Sequence, residues 1–323
     1  MHAHARHVMF ALALLVTASG VALAGAPMAK GQAPGWYRMK LGDFEVTALS
    51  DGTADLPMDQ LLTGTTPDKV KKALAAEFLT APVETSVNAF LVNTGTKLVL
   101  IDTGAANLFG PTLGKLIVNL KASGYQPEQV DDICITHMHA DHVGGLTAAG
   151  KAVFPKAVVH AAKAEAGFWL SEDNMKKAPE QMRNFFQGAM TSLKPYTDAN
   201  KTQWFEGADV EIVPGLHALP TPGHTPGHTV YAIESKGERM VFWGDLAHVE
   251  AVQMTDPSVT IQFDSDPKAA APQRKKACAE AATKKHWIAV AHFSFPGIGH
   301  LRSEGKGYEW VPANYTTKTG DAK

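Results

Sequence analysis

Cysteine is almost absent from this chain: Cys134 and Cys278 are the only two in 323 residues. That rules out a disulfide framework and a thiolate-rich metal cluster. Cys134 lies in the apolar run Asp132-Ile-Cys-Ile135 and reads as a small buried hydrophobe rather than half of a bridge to Cys278. An excess of charge of one sign is missing too. Lys and Arg total 30 against 32 Asp and Glu, a net charge of -2. Neither a nucleic acid nor an anionic membrane is expected as partner on such a balance. Beyond the first two dozen residues no apolar run is long enough to span a bilayer. The chain also lacks a G-x-S-x-G elbow, so a serine nucleophile of the α/β-hydrolase kind has no place.

What is present begins with an export pattern. Arg6, the apolar run Phe10 to Val16 and the small-residue pattern Ala22-Leu23-Ala24 read as a secretory signal peptide over residues 1–24. Residues 25–36, rich in Ala, Gly and Pro, are expected to form a mobile arm. Residues 37–323 are expected to form a single domain, periplasmic or secreted. The whole chain's 45% hydrophobic and 19% charged content suits an ordinary enzyme-sized core.

Periodicity gives an α/β alternation. Tyr37 to Gly52 reads as two strands joined at Gly42-Asp43 and closed by a turn at Asp51-Gly52. Thr66 to Phe78 has helical spacing after a Thr-Pro start, and Ser86 to Asp102 alternates like a hairpin turning at Asn93-Thr94-Gly95. Leu113 to Ser123 reads as helix, Asp132 to Thr136 as a short buried strand, and Val143 onward as a helix with glycines at its start. Val158 to His160 follows as strand and Ala162 to Ser192 as a helical region. Val210 to Val213, Leu216 to Leu219 and a hairpin from Thr229 to Trp243 come next, then helix from Pro267 to His286 and strand from Trp287 to Ala291. Two hairpins, each ending in an Asp-bearing loop at Asp102 and Asp245, hint at a duplicated half.

The most constrained stretch is Thr136-His-Met-His-Ala-Asp-His-Val-Gly-Gly-Leu146, which packs His137, His139, Asp141 and His142 into six residues. Three imidazoles and a carboxylate converging on one point call for a cation, and these ligand types suit zinc and its divalent neighbours. Extended residues two apart face the same way, so His137 and His139 can share one ion. Asp141 and His142 begin the next turn and point elsewhere, which makes two ions the simpler solution. The missing ligands should be His or Asp residues at other strand ends. His224, in Pro220-Thr-Pro-Gly-His-Thr-Pro-Gly-His228, is one candidate. Asp245 after Val241-Phe-Trp-Gly and His292 after Ile288-Ala-Val-Ala are the others.

With these residues the chain resembles the metallo-β-lactamase superfamily, whose H-x-H-x-D-H motif stands here as His137 to His142. The resemblance runs from about Val46 to Pro312 and implies an αββα sandwich, two mixed β-sheets flanked by helices. It also implies a dinuclear centre: His137, His139 and His224 on one ion, Asp141, His142 and His292 on the other, and Asp245 between them. Two divalent ions, zinc first with manganese, cobalt or iron as alternatives, are the implied cofactors. The implied reaction is hydrolysis by a hydroxide bridging the ions, steered by Asp141 and Asp245. Asp102 is expected to orient a ligand histidine and His228 to stand behind the ligands or at the surface. His160, His217 and His286 are expected to have ordinary structural or surface roles.

Within the superfamily the chain is most similar to the exported branch that contains methyl parathion hydrolase and related lactonases and arylesterases. Gly42-Asp-Phe-Glu-Val-Thr-Ala-Leu-Ser-Asp-Gly52, Gly244-Asp-Leu-Ala-His-Val249 and Phe295-Pro-Gly-Ile-Gly-His300 carry that similarity. It implies a small-molecule substrate, an ester, lactone or phosphotriester of little charge, and a homodimer. Phe109, Trp169 and Phe186 are the implied pocket aromatics. His248, three residues after Asp245, departs from the acyl-homoserine lactonases, which tend to carry Tyr there; it is read as a catalytic residue on the substrate side. The alternatives are a lactonase acting on acyl-homoserine lactones and an iron-dependent oxidoreductase of the same fold. Diiron oxygen reducers usually place Glu where His139 stands, which favours hydrolysis.

Overall fold

The computed structural model describes residues 26–319, so the expected signal peptide lies outside the described residues. Among the described residues, those from Pro34 onward form one compact unit. Among the described residues no helix is long and apolar enough to cross a membrane.

Two seven-stranded sheets make up the body, and in both the strands lie side by side in chain order. The first contains β1 (Trp36–Leu41), β2 (Phe44–Leu56), β3 (Val83–Asn93), β4 (Leu98–Ile101), β5 (Asp132–Cys134), β6 (Val158–Ala162) and β7 (Thr202–Phe205). The second contains β8 (Val210–Val213), β9 (Leu216–Pro220), β10 (Thr229–Ser235), β11 (Glu238–Phe242), β12 (Trp287–Ala289), β13 (Ile298–Glu304) and β14 (Gly307–Pro312). Both sheets are mixed. The pairs β4–β5, β5–β6 and β6–β7 are parallel in the first sheet, and β11–β12 is parallel in the second; the other pairs are antiparallel. The hint of duplication has a topological counterpart: each half runs hairpin, Asp-bearing loop, crossover, parallel strand and then a site histidine.

Alternation along the strands separates the layers. In β3, Phe90 and Val92 face the second sheet and meet Tyr231, Ile233 and Phe242, whereas Ala89 and Leu91 face outward. That outer face is covered by α2 (Leu116–Ala122), α3 (Lys163–Trp169) and α5 (Glu180–Asp198) through Leu120, Trp169, Phe186 and Leu193. The short helix α4 (Glu172–Lys177) joins α3 to α5, and α1 (Pro67–Ala76) starts at Thr66, whose side chain accepts from the Lys69 N–H. The outer face of the second sheet packs on α6 (Pro267–Lys284) through Val241, Trp243, Cys278 and Ala281. This is the αββα sandwich. Cys134 lies between the sheets and Cys278 on the inner face of α6; both are free and buried.

Four local expectations need correction. Trp36 already pairs with Leu49, so the fold starts inside the stretch expected as an arm. The expected turn at Asp51-Gly52 is a bulge within β2. The Asp51 carboxylate turns inward there and accepts the N–H groups of Ala105, Gly114 and Leu116, which tie the bulge to the next loop. The helix expected from Val143 is only a turn over Ala140–Val143 followed by 3-10 backbone over Gly144–Leu146. A Cβ on Gly145 would lie 1.9 Å from the Thr103 carbonyl oxygen, so this glycine permits close backbone approach rather than starting a helix. The hairpin β13–β14 is not among the expected elements.

Candidate metal centre

The loops that follow β4, β5, β11 and β12 meet at one edge of the sandwich, together with the loop between β9 and β10. Two groups of potential ligands with no residue in common form there: His137, His139, His224 and Asp245, and beside them Asp141, His142 and His292; a third, Asp245, His248 and His292, overlaps both. Every residue expected to ligate a metal is therefore at this edge. Asp245 faces both groups. Its Oδ2 lies 3.2 Å from His224 Nε2 and 3.5 Å from His137 Nε2. Its Oδ1 lies 3.2 Å from His142 Nε2 and 3.1 Å from His292 Nε2. Asp141 Oδ2 reaches within 3.5 Å of His292 Nε2 and 3.7 Å of His142 Nε2.

The far nitrogens of four histidines are held by acceptors. Nδ1 of His142 donates to Asp102 Oδ2 and Nδ1 of His224 to Asp264 Oδ1, both at 2.8 Å. Nδ1 of His292 donates to the Ser86 carbonyl at 2.9 Å, and Nδ1 of His137 to Thr136 Oγ1 at 3.1 Å. The acceptors orient the rings so that each Nε2 is aimed inward, where it offers a lone pair once it carries no proton. His137 Nε2, His142 Nε2 and Asp245 Oδ1 are buried with no hydrogen-bond partner, and His139 Nδ1 lies 3.2 Å from His224 Nε2. Buried lone pairs without donors are costly, and divalent cations would satisfy them. The donor set, all N and O, fits two such ions.

Charge is finely opposed in this pocket. Burial holds His137 and His139 well below the ordinary imidazole range. Burial also opposes a charge on His224, but Asp245 and Asp264 push it up to about 9. Asp245 itself is held well below the carboxylate range, because the surrounding imidazoles outweigh its burial.

Several supports decide where these ligands point. Asp102 accepts the Thr136 N–H and hydroxyl as well as His142, and so steers the start of the histidine loop as expected. His228 is buried, not at the surface. Its Nε2 accepts the Asp245 N–H at 3.1 Å, and burial pulls its pKa down to about 3, which keeps it an acceptor. Gly244, at φ +51°, has no room for a Cβ, which would fall 2.8 Å from Thr136 Cβ. His160 pairs with Asp132, His217 with Asp209 on the surface, and His286 is buried beyond the site.

Asp264 and Arg274 are functional residues that sequence reasoning misses. Asp264 accepts from His224 and from the Ile261 N–H. Arg274, fully buried on α6, donates to the carbonyls of Leu246, Val259 and Pro257. Neither belongs to a motif: Asp264 comes from the loop before α6 and Arg274 from α6 itself, and Arg274 reaches the site only through Leu246 and Asp264.

The cavity over the site is lined by Leu56, Phe109, Phe185 and Phe263 together with His139, Asp141, Asp245, His248 and His292. Phe109 is where it is expected. Trp169 and Phe186 do not line the cavity: both are buried behind it, with the Trp169 ring edge-on to His139 at 5.2 Å and 4.7 Å from Phe186. The buried positions Phe186, Ala189 and Leu193 mark the inner stripe of α5, which places the neighbouring Phe185 at the cavity. That spacing is a sequence signal that could have identified Phe185. His248 lies in the cavity, its Nε2 3.1 Å from Asp245 Oδ2, and its ring stacks on His292 at 13° and 5.2 Å.

Comparison with known proteins fits this geometry. The family model described as the metallo-beta-lactamase superfamily matches residues 82–292. A crystal structure of the hydrolase AbOPH, in the beta lactamase superfamily, is 40% identical with a TM-score of 0.84, over 88% of this chain and 100% of that one. AidC, a dizinc quorum-quenching lactonase solved with a product, is 27% identical with a TM-score of 0.81, over 88% of this chain and 99% of that one. An N-acyl homoserine lactonase of a Bacillus species is 34% identical over 166 residues, 46% of this chain and 58% of that protein. The chain thus spans little more than half the length of that curated relative.

Proposed function

The chain belongs to the metallo-beta-lactamase superfamily, and from that premise we propose that it is a dinuclear metal-dependent hydrolase of a largely uncharged ester, lactone or phosphotriester. The observation that carries this reading is the Asp245 carboxylate, whose two oxygens face two separate groups of inward-pointing lone pairs. His137, His139, His224 and Asp245 Oδ2 would hold one ion; Asp141, His142, His292 and Asp245 Oδ1 the other. Two such ions, zinc in our reading, supply Lewis acidity and a water of lowered pKa.

The chain's own residues do the rest. Asp141 and Asp245 border the cavity and can steer an attacking water or hydroxide by accepting a hydrogen bond from it. Phe109, Phe185, Phe263 and Leu56 exclude solvent and offer an apolar wall to the substrate. Phe109 and Phe185 also border a neighbouring groove of about 460 Å³ whose other lining includes Asn107, Asn184, Gln187 and Thr191 and carries no formal charge. An uncharged substrate with an extended arm suits that surface. A lactone with an acyl arm is one such molecule, and lactonases among the relatives favour it. The export pattern of residues 1–24 and the resemblance to exported hydrolases support a periplasmic or secreted homodimer.

The deciding experiment is an activity panel on metal-quantified protein, covering aryl esters, lactones of varied chain length, phosphotriesters and β-lactams. We expect turnover of at least one of the first three classes, lost on chelation and restored by zinc. No turnover of any class with two ions bound would sink the hydrolase reading, and oxygen uptake by an iron-loaded protein would favour the oxidoreductase alternative.

His248 acts at the substrate side in this reading, donating a hydrogen bond or proton to the leaving oxygen. Replacing it with Ala should lower kcat by about a hundredfold while both ions remain bound. Unchanged kinetics, or loss of an ion from the variant, would count against that role.

A further inference from the structure

The Glu165 carboxylate is outside the ligand set, yet it is fully buried, and among the described residues no basic side chain pairs with it. It lies in the first turn of α3. Its Oε1 accepts the Met138 N–H at 2.8 Å. Its Oε2 accepts the Thr225 hydroxyl and the Gly227 N–H, each at 2.8 Å. Met138 is the residue between His137 and His139, and Thr225 is the residue after His224. One carboxylate therefore joins the backbone that carries all three histidines of the first group, although these come from loops on different sheets. The second group is held by other means, His142 through Asp102 and His292 through the Ser86 carbonyl.

All three neighbours are donors. An ionised carboxylate accepts on both oxygens, whereas a Gln amide presents an NH2 to one of the two sides. Facing Met138 or Gly227, that NH2 would leave a backbone N–H without an acceptor.

We propose that Glu165 is the positioning residue of the first ion: its charge and its three accepted hydrogen bonds set the spacing of His137, His139 and His224 and so the affinity for that ion. This rests on the dinuclear reading above. Asp102 is shared, through Thr136 and His142, but Glu165 bonds only to residues beside the first group, so that ion's affinity can be changed without the other's.

The test is zinc and cobalt binding by the whole protein, measured by competition with a chromogenic chelator. Glu165→Gln should weaken one ion by about 10- to 100-fold and leave the other within about twofold. The weakened ion should be the one that His224→Ala loses, not the one that His292→Ala loses. Thr225→Val, which removes a single donor, should give a smaller change in the same ion. Asp132→Asn serves as a control for general loss of stability. Asp132 is a buried carboxylate that accepts from His160 and Lys97 at the start of β5, away from the site. It should lower the melting temperature without separating the two affinities. Two ions bound by Glu165→Gln with wild-type affinity would overturn the proposal. So would a parallel weakening of both ions matching that of Asp132→Asn at equal loss of stability. A wild-type protein that takes up fewer than two ions would overturn the dinuclear reading itself and this proposal with it.

Discussion

Replacing Asp245 with Ala should cut hydrolytic turnover by on the order of a thousandfold or more, because several kcal/mol of transition-state stabilisation depend on two adjacent ions. Both oxygens of this one side chain are committed, one to each ligand group. Its loss should therefore lower the bound metal from two ions towards one or none, as read by elemental analysis after gel filtration. Single-ligand variants behave differently: His292→Ala should retain the ion held by the first group. The fold should survive, since the Asp245 backbone is independently fixed by its N–H bond to His228. Circular dichroism of the variant would check this. A variant with two ions and near wild-type turnover would remove Asp245 from the centre of the proposed site.

The largest effect on stability is expected at Arg274. This guanidinium is fully buried and donates to the carbonyls of Leu246, Val259 and Pro257, with Asp264 3.9 Å away. The ion pair is loose, so the carbonyl bonds carry the larger share. Burial lowers the Arg274 pKa, and Asp264 opposes that shift. Arg274→Met keeps much of the volume but removes the guanidinium donors from the Leu246 and Pro257 carbonyls, leaves the Val259 carbonyl only the Gln253 amide, and takes the nearby positive charge from buried Asp264. Breaking a buried charged network from one side costs about 3–5 kcal/mol. For a domain of this size that corresponds to a fall of roughly 10 °C in Tm. Arg274→Lys should recover little, because one ammonium cannot reproduce the fork. Metal affinity should fall as well, since Leu246 follows Asp245 and Asp264 holds His224. A loss below about 1 kcal/mol would show that the network is better solvated than its burial implies.

The cluster of candidate ligands was legible because metal chemistry restricts residue type and spacing together. His137, His139, Asp141 and His142 are adjacent in sequence, and His224, Asp245 and His292 each follow an apolar strand. The aromatic pocket was less legible. Trp169, Phe185 and Phe186 are all apolar residues on helices, and whether each faces the cavity or the core depends on helix phase against the first sheet. Asp51 illustrates the same limit: Asp-Gly is a good turn signal, yet three backbone donors from a distant loop drew its carboxylate inward.

The motif Thr136 to Leu146 determined by itself that this chain would gather imidazoles and carboxylates at a strand end, because no other arrangement makes those residues tolerable in a buried place. Strand alternation likewise determined which faces would be apolar. Only the tertiary structure decided how the candidate ligands are held and which side chain stands behind each. Asp264, Arg274, Glu165 and His228 act across loops from different elements, through distances that no local pattern encodes. The reason is physical: a ligand's identity is a property of its own side chain, whereas its orientation belongs to whatever the fold packs behind it.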